Sequence, residues 1–292
     1  ELALTHFAIL GNIRIDSVER LLRLKDSLRS FGEPSEYAWY VHFRGQYAKA
    51  ARRIFLRLKK SGVMVTVLAG NPSDVWREDS LRLMSSMTED FVLCWLEDHL
   101  CVVEPSVLHQ FVDDMRTTAV DVASYTWFHE GDTAESFRRL KPECQNDLIA
   151  IEYQLETHQK RLRTIEEMEL RAQKYIVGLP SIFSVQFLRR VLQAPPPPDT
   201  PYPADSPFDV EQSDRETHWL PLRVGAAMVE LFVPIDDDHG QAGYSLISRG
   251  LYPQRGEPRP ARGRRAETKF SYLVRRLEMF LMRVMQARRL TR

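Results

Sequence analysis

The fold is decided by three consecutive segments: LALTHFAIL at Leu2–Leu10, DSVERLLRLKDSLRSF at Asp16–Phe31 and YAWYVHF at Tyr37–Phe43. The first and third are apolar runs of strand length. The middle segment has the spacing of an amphipathic helix, with an apolar face made of Val18, Leu21, Leu22, Leu24 and Leu28. The three segments therefore predict a strand, a helix and a second strand.

The same alternation continues along the first half of the chain. It predicts a helix at Tyr47–Lys60, a strand at Val63–Leu68, a helix at Ser80–Met87 and a strand at Phe91–Leu96. Strands that alternate with helices at this spacing form βαβ units. We therefore predict an α/β fold of Rossmann type, in which helices flank a mostly parallel sheet. Such sheets bind ligands at the carboxyl ends of the strands, where the strand order reverses.

The second half has a different pattern. Gln145–Gln173 is charged and periodic, which predicts a long helix or a helix pair. The proline-rich stretch APPPPDTPYPADSP at Ala194–Pro207 can form neither a helix nor a central strand, and it is either a linker or a loop over a site. Ala226–Ile235 again predicts a strand.

Charge is distributed unevenly along the chain. The 292 residues contain 40 basic and 40 acidic side chains, a balance that argues against an ordinary nucleic-acid-binding protein. Residues 253–292 hold twelve basic and three acidic side chains, a net charge of +9, so the first 252 residues carry −9. Three cysteines without a CxxC pair suggest a reducing, cytoplasmic location. The charge pattern thus predicts an acidic body with a separate basic tail.

Acidic side chains directly follow two of the apolar runs. Glu97-Asp98-His99 follows Phe91–Leu96, and Asp236-Asp237-Asp238-His239 follows Met228–Ile235. Carboxylate oxygens with an imidazole suit Mg²⁺ or Mn²⁺, and such an ion commonly bridges to a diphosphate. Taken alone, a Glu-Asp-His block after a strand is more often a solvated turn or a helix cap, and an Asp-Asp-Asp run is commonly a polar turn. Together they predict a metal-diphosphate site.

These residues also carry a family resemblance. Thr5–Leu10, the following Gly11-Asn12-Ile13-Arg14 and the Ser27-Leu28 pair of the first helix resemble the opening of GT-A-fold glycosyltransferases. The likeness is to bacterial family-2-type enzymes that make surface glycans, and it covers roughly residues 1–250. It implies a glycosyltransferase domain at 1–252, with a nucleotide-binding half at about 1–128 and an acceptor half at about 129–252.

The resemblance also implies roles for single residues. Glu97-Asp98-His99 occupies the place of the DxD motif, although the two acids are adjacent and His99 stands where an acid often does. Asp98 is the first choice of metal ligand, with His99 and His239 beside it and Mn²⁺ or Mg²⁺ as the ion. The donor nucleotide would contact Glu97 and Asp98 of this motif. Beyond the resemblance, Asn12 is suited to contact the base or diphosphate, as are Arg14 and Arg249 unless they lie on a solvated surface.

The catalytic base implied by the resemblance lies in the segment Phe208-Asp209-Val210-Glu211. An inverting transfer needs a carboxylate that takes the proton of the acceptor hydroxyl. Glu211 is the first candidate, followed by Asp209 and Asp236. Glu211 is equally well explained as an acid that favours a helix start.

The basic tail, residues 253–292, contains a Pro/Arg segment and a predicted amphipathic helix at Thr268–Arg289. That helix would pack on the body, join two subunits or lie on the inner membrane, where lipid-linked acceptors reside. We expect a nucleotide-diphosphate sugar as donor, a glycan or lipid-linked acceptor, and no nucleic acid. The alternatives are a nucleotidyltransferase on a similar sheet and a non-catalytic scaffold that acts through the basic helix.

Overall fold

The computed structural model describes residues 7–68, 75–125, 143–153, 180–194, 221–236, 245–255 and residue 277. The catalytic candidates Asp209 and Glu211 and the ligand candidate His239 lie outside these residues. So does almost all of the predicted helix Thr268–Arg289, of which Leu277 alone is described, as a helical and exposed residue.

The first half forms the predicted βαβ units. Its elements are β1 Ala8–Arg14, α1 Val18–Ser30, β2 Ala38–Arg44, α2 Ala48–Lys60, β3 Val65–Val67, α3 Trp76–Met84, β4 Phe91–Cys94, β5 His99–Cys101, α4 Pro105–Thr117 and β6 Val122–Ser124. Ser17 caps α1 by accepting a hydrogen bond from the backbone N–H of Arg20. The helix predicted at Ser80–Met87 begins four residues earlier, at Trp76, and ends at Met84.

The second half departs further from the prediction. Its described elements are β7 Glu143–Gln145, β8 Leu148–Tyr153, β9 Ser181–Ser184, α5 Val185–Gln193, β10 Leu222–Ala227 and β11 Phe232–Pro234. The prediction of a helix from Gln145 is therefore wrong over its first nine residues, which form the hairpin of β7 and β8. Asn146 makes the turn with a φ of 46°, a left-handed conformation that asparagine tolerates and that ends a helix.

Nine strands form one sheet in the order β3-β2-β1-β4-β9-β6-β10-β8-β7. Only β8 and β9 run against the other seven strands, so the predicted α/β fold with a mostly parallel sheet is confirmed. The strand predicted at Ala226–Ile235 is divided: β10 belongs to this sheet, whereas β11 pairs with β5 in a separate two-stranded ribbon.

The strand order reverses beside β1. From β1 the chain proceeds outward through β2 to β3, then crosses back to place β4 on the other side of β1. In α/β sheets a reversal of this kind leaves a crevice at the carboxyl ends of the adjacent strands, here β1 and β4. The Glu97-Asp98 pair follows β4 at this point.

Helices cover the sheet on both faces. The core of one face includes Phe31, Phe55 and Phe111, from α1 and its C-cap, α2 and α4. The core of the other face includes side chains of α3 and α5. Gly11 of β1 allows Trp95 to pack closely, since a β-carbon at position 11 would lie 2.8 Å from the Trp95 ring. Both faces of the sheet near the crevice are thus rigidly packed.

Candidate active site

Helix α1 supports the acidic loop that follows β4. The backbone N–H of Trp95 still donates to Leu10 of β1, at 2.9 Å, so the loop leaves the sheet directly beside β1. The hydroxyl of Ser27 on α1 is fully buried; it accepts from the Trp95 indole at 2.8 Å and donates to the carbonyl of His99. Ser27 therefore ties both ends of the Leu96–Asp98 turn to α1.

The two acids of this loop have different environments. Glu97 is 2% exposed and accepts a charged hydrogen bond from Arg20 on α1. Burial, together with the neighbouring Asp98 carboxylate, raises the pKa of Glu97 to about 7 against the opposing effect of Arg20. The Asp98 side chain is 23% exposed. Asp98 is therefore the acid of the pair that a ligand in the crevice can reach.

The second acidic cluster begins beside the first. In the ribbon Pro234 of β11 lies opposite His99 of β5, and the N–H of Ile235 donates to the Asp98 carbonyl at 2.7 Å. Asp236 thus lies near Asp98, as the sequence predicts. The reason differs from the predicted one: an antiparallel ribbon brings the two acids together, not two parallel strands of the main sheet.

Two arginines on α1 link these acidic segments. Arg20 contacts Glu97, and one turn later Arg23 donates to Asp236 at 2.6 Å and also pairs with Glu19. Burial lowers the pKa of Arg23, but the hydrogen bonds and charges of Asp236 and Glu19 together raise it above its ordinary value. Neither arginine was predicted from the sequence to be part of the site. The sequence feature that could have indicated them is the occurrence of two arginines among the apolar residues of α1.

His99 orients the Asp98 carboxylate. Its Nδ1 lies 2.8 Å from Asp98 Oδ1, and its ring meets Tyr125 edge to face, with the ring centres 5.4 Å apart. No group of three His, Cys, Asp or Glu side chains converges within the part of the chain that the structure describes. A divalent ion that keeps several waters and takes its remaining ligands from a diphosphate needs only one or two protein carboxylates. Asp98 and the nearby Asp236 fit such an ion.

The charge count also fits a cation. The carboxylates of Glu19, Glu97, Asp98 and Asp236 surround two guanidinium groups, those of Arg20 and Arg23. Because the pKa of Glu97 is raised to about 7, the described group carries between one and two negative charges in excess near neutral pH, apart from His99. An anionic diphosphate is repelled by that excess unless a metal ion balances it.

The two predicted nucleotide contacts on β1, Asn12 and Arg14, lie in different environments. The Asn12 amide is buried and donates to the Trp76 carbonyl at 2.8 Å and to Ser80 at 2.9 Å, so it fastens α3 to β1. Its Oδ1 is buried without a hydrogen-bond partner among the described residues. Arg14 lies at the exposed end of β1 and pairs with Asp16. A nucleotide contact by Asn12 would therefore need its buried oxygen to become accessible, whereas the Arg14 side chain is already exposed.

Arg249 is held by another side chain. Both of its terminal nitrogens donate to the two carboxylate oxygens of Glu230, at 2.9 and 2.7 Å. Its segment runs beside β11, where the N–H of Leu246 donates to Pro234 at 2.9 Å. A phosphate contact by Arg249 would therefore compete with this bidentate ion pair.

A cavity of about 720 Å³ lies elsewhere, at the amino ends of β4 and β6, and is lined by Asp90, Asp121, Ser184 and Arg189 among others. It contains none of the predicted site residues. The crevice at the carboxyl ends remains the candidate site because the strand order reverses there and the acidic loop follows β4 there.

No protein-family model and no curated protein sequence matches the chain. Among solved structures, it is similar to TarS 1–349 of S. aureus, at 13% identity and a TM-score of 0.46, over 76% of this chain and 57% of that one. It is also similar to the mannosyltransferase PcManGT of Pyrobaculum calidifontis in complex with GDP-Man and Mn²⁺, at 10% identity and a TM-score of 0.46, over 75% and 54%. A third structure, TarS 1–349 with UDP-GlcNAc, has 13% identity and a TM-score of 0.39, over 63% and 47%. The chain thus spans little more than half the length of the first two. Function has to be inferred from the residues of the site.

Proposed function

We propose that the protein is a metal-dependent glycosyltransferase that takes its sugar from a nucleotide-diphosphate donor. One observation carries the proposal: the Asp98 carboxylate is held at the switch point of an α/β sheet, beside Asp236, in a cluster with excess negative charge. This is the arrangement that a divalent ion and a diphosphate would complete together.

The chain's own residues would prepare the site as follows. Asp98 would hold the ion, and His99 fixes the orientation of the Asp98 carboxylate. Arg20 holds the buried Glu97 and Arg23 holds one oxygen of Asp236, which leaves Asp98 as the most exposed of the three acids. A bound Mn²⁺ or Mg²⁺ would neutralise the charge that develops on the departing nucleoside diphosphate.

We assign the general base to Glu211, with Asp209 as the second candidate. Asp236 is less suited, since one of its carboxylate oxygens already accepts a hydrogen bond from Arg23. A base on the side of the sugar opposite the nucleotide would make the transfer inverting. Replacing Glu211 with Gln should abolish transfer and leave donor binding intact.

Binding and turnover test the proposal. The full chain is titrated by thermal shift with UDP-GlcNAc and GDP-mannose, the sugar nucleotides of the similar structures, in the presence of Mn²⁺ or Mg²⁺. A true donor stabilises the protein in proportion to its concentration over Kd. Asp98→Asn should remove the metal-dependent stabilisation and lower transfer by roughly a hundredfold or more. Asp113→Asn, an exposed carboxylate on α4, is the matched control.

The products distinguish the alternatives. A glycosyltransferase releases nucleoside diphosphate, whereas a nucleotidyltransferase releases pyrophosphate. If neither product forms and no nucleotide binds with metal present, the scaffold alternative stands instead. We also propose a cytoplasmic protein that meets a glycan or lipid-linked acceptor at the inner membrane. No helix among the described residues is long and apolar enough to cross a membrane.

A further inference from the structure

The outer face of α2 is strongly basic. The helix reads AKAARRIFLRLKK and has no acidic residue, although the whole chain is neutral. Its six basic side chains are all exposed: Lys49, Arg52, Arg53, Arg57, Lys59 and Lys60. Such a concentration of one sign of charge on a single helix creates a local positive potential.

None of these six cations is neutralised within the described structure. None forms an ion pair, a hydrogen bond through its side chain or a ring contact with a described residue. Other arginines of the molecule do: Arg23 pairs with two carboxylates and Arg249 with one. The charges of α2 are thus available to an outside partner.

Apolar side chains accompany the cations. Positions 49, 52, 53, 56, 57 and 60 form one stripe of the helix, opposite the buried Ala51 and Phe55. Leu56, in the middle of that stripe, is 37% exposed. The neighbouring α1 packs on the same face of the sheet and adds Leu22, 36% exposed, and Val18, 54% exposed. A basic helix with exposed leucines has the composition of an interfacial helix.

We infer that α2 and the adjoining face of α1 dock on an anionic lipid bilayer. A bilayer offers both phosphate groups for the cations and an apolar layer for Leu22 and Leu56. A nucleic acid offers the phosphates alone. Because β2 ends and α2 begins at the carboxyl edge of the sheet, a bilayer lying along α2 would border the candidate site.

Co-sedimentation with vesicles tests this inference with the full chain. We expect binding to vesicles that contain phosphatidylglycerol, weak binding to pure phosphatidylcholine, and loss of binding at high salt. The triple variant Arg52→Gln/Arg53→Gln/Arg57→Gln should weaken partitioning roughly a hundredfold, because each basic residue contributes separately. Leu56→Gln should weaken it further when combined with this triple variant.

A control variant separates α2 from the basic tail. Arg275→Gln/Arg276→Gln/Arg283→Gln removes the same charge from the C-terminal segment and should weaken binding distinctly less. The inference is overturned if the tail variant loses as much binding as the α2 variant, or if the α2 variant binds like the unaltered chain. It is also overturned if phosphatidylglycerol vesicles do not bind while a nucleic-acid duplex does.

The measurement does not rest on the proposed enzymatic function. Sedimentation reports lipid binding whether or not a sugar is transferred, so the two proposals can fail separately. Equal thermal melting of the α2 variant and the unaltered chain shows that folding is retained. If that variant melts early, Leu56→Gln alone provides the test, with a severalfold loss of binding expected and no loss counting against the inference.

Discussion

Helices α1 and α2 both have thirteen residues, but their arginines point in different directions and have different partners. Both follow a parallel strand and pack on the same face of the sheet. On α1, Arg20 and Arg23 turn toward the crevice and hold acids from two distant segments. On α2 the arginines face outward and meet no described acid. Two helices in equivalent positions of βαβ units can therefore have arginines with different roles. The difference is that α1 lies beside acidic side chains, Glu97 and Asp236, that come from other segments of the chain.

The inward face of α2 should show the largest effect. Phe55 is fully buried against Trp39, Phe43 and Trp95. Phe55→Ala removes a large aromatic side chain and should lower the free energy of unfolding by about 4 kcal/mol. Leu56→Ala, the next residue on the exposed face, should cost about 1 kcal/mol or less. Chemical denaturation measures both. Similar losses would contradict the division of α2 into an anchoring face and a free face.

The ion pairs of α1 come next. Arg23→Ala leaves Glu19 and Asp236 without their shared cation, so we expect a loss of about 3 kcal/mol in the free energy of unfolding. The control is Arg53→Ala on α2, which should change stability by less than about 0.5 kcal/mol. Equilibrium denaturation in urea compares the two variants. A loss at Arg53 as large as that at Arg23 would show that α2 has partners after all.

Serine substitutions sharpen the same contrast. Ser27→Ala removes the hydroxyl that joins Trp95 and His99 to α1, and should cost about 2 kcal/mol. Ser61→Ala at the exposed end of α2 removes one bond to Leu58 and should cost less than about 0.5 kcal/mol. Ser27→Ala should also weaken metal-dependent nucleotide binding in calorimetry. Unchanged binding would mean that the acidic loop keeps its shape without α1.

The smallest effect concerns the far end of α1. Burial raises the pKa of Tyr252 to about 12, and its hydrogen bond to Asp26, 2.6 Å long, raises it as well. The raised pKa means that the folded state holds this proton longer than the unfolded state, so stability should fall as pH rises from about 10 to about 12. Tyr252→Phe should show a smaller fall over that range in thermal melting. An identical fall would exclude this contact as its cause.

Local patterns predict most of the first half of the fold. The alternation of strands and helices from β1 to β4 follows from apolar periodicity, which the folded protein retains. Only the ends of the elements differ from the predicted bounds. Trp76 starts α3 four residues before the predicted start, since a buried residue at a helix start has no distinctive local signal. The hairpin of β7 and β8 was missed because the apolar residues of Leu148–Tyr153 fit a helical repeat as well as a strand repeat. The left-handed turn at Asn146 is what makes the segment a strand of a hairpin.

The site shows a similar division. The roles of Asp98 and Asp236 stay predictions, but the proximity of their segments could be predicted, because acids that directly follow apolar strands lie at a sheet edge. Their cationic partners could not. Arg20 and Glu97 are far apart along the chain, and their pairing depends on how α1 lies over the loop. The confinement of Glu97 by α1 likewise follows from the tertiary fold, so the sequence could not tell which acid of the pair faces the crevice.

The ribbon of β5 and β11 also has a consequence for biosynthesis. It joins β5, in the first half of the chain, to β11, which is synthesised much later. A nascent chain could therefore complete β1 to β4, with their local contacts, well before Asp98 gains its neighbour Ile235. The binding crevice would be assembled last, on a sheet that is already formed. The growing polypeptide would then have little opportunity to capture metal or nucleotide before the whole body is made.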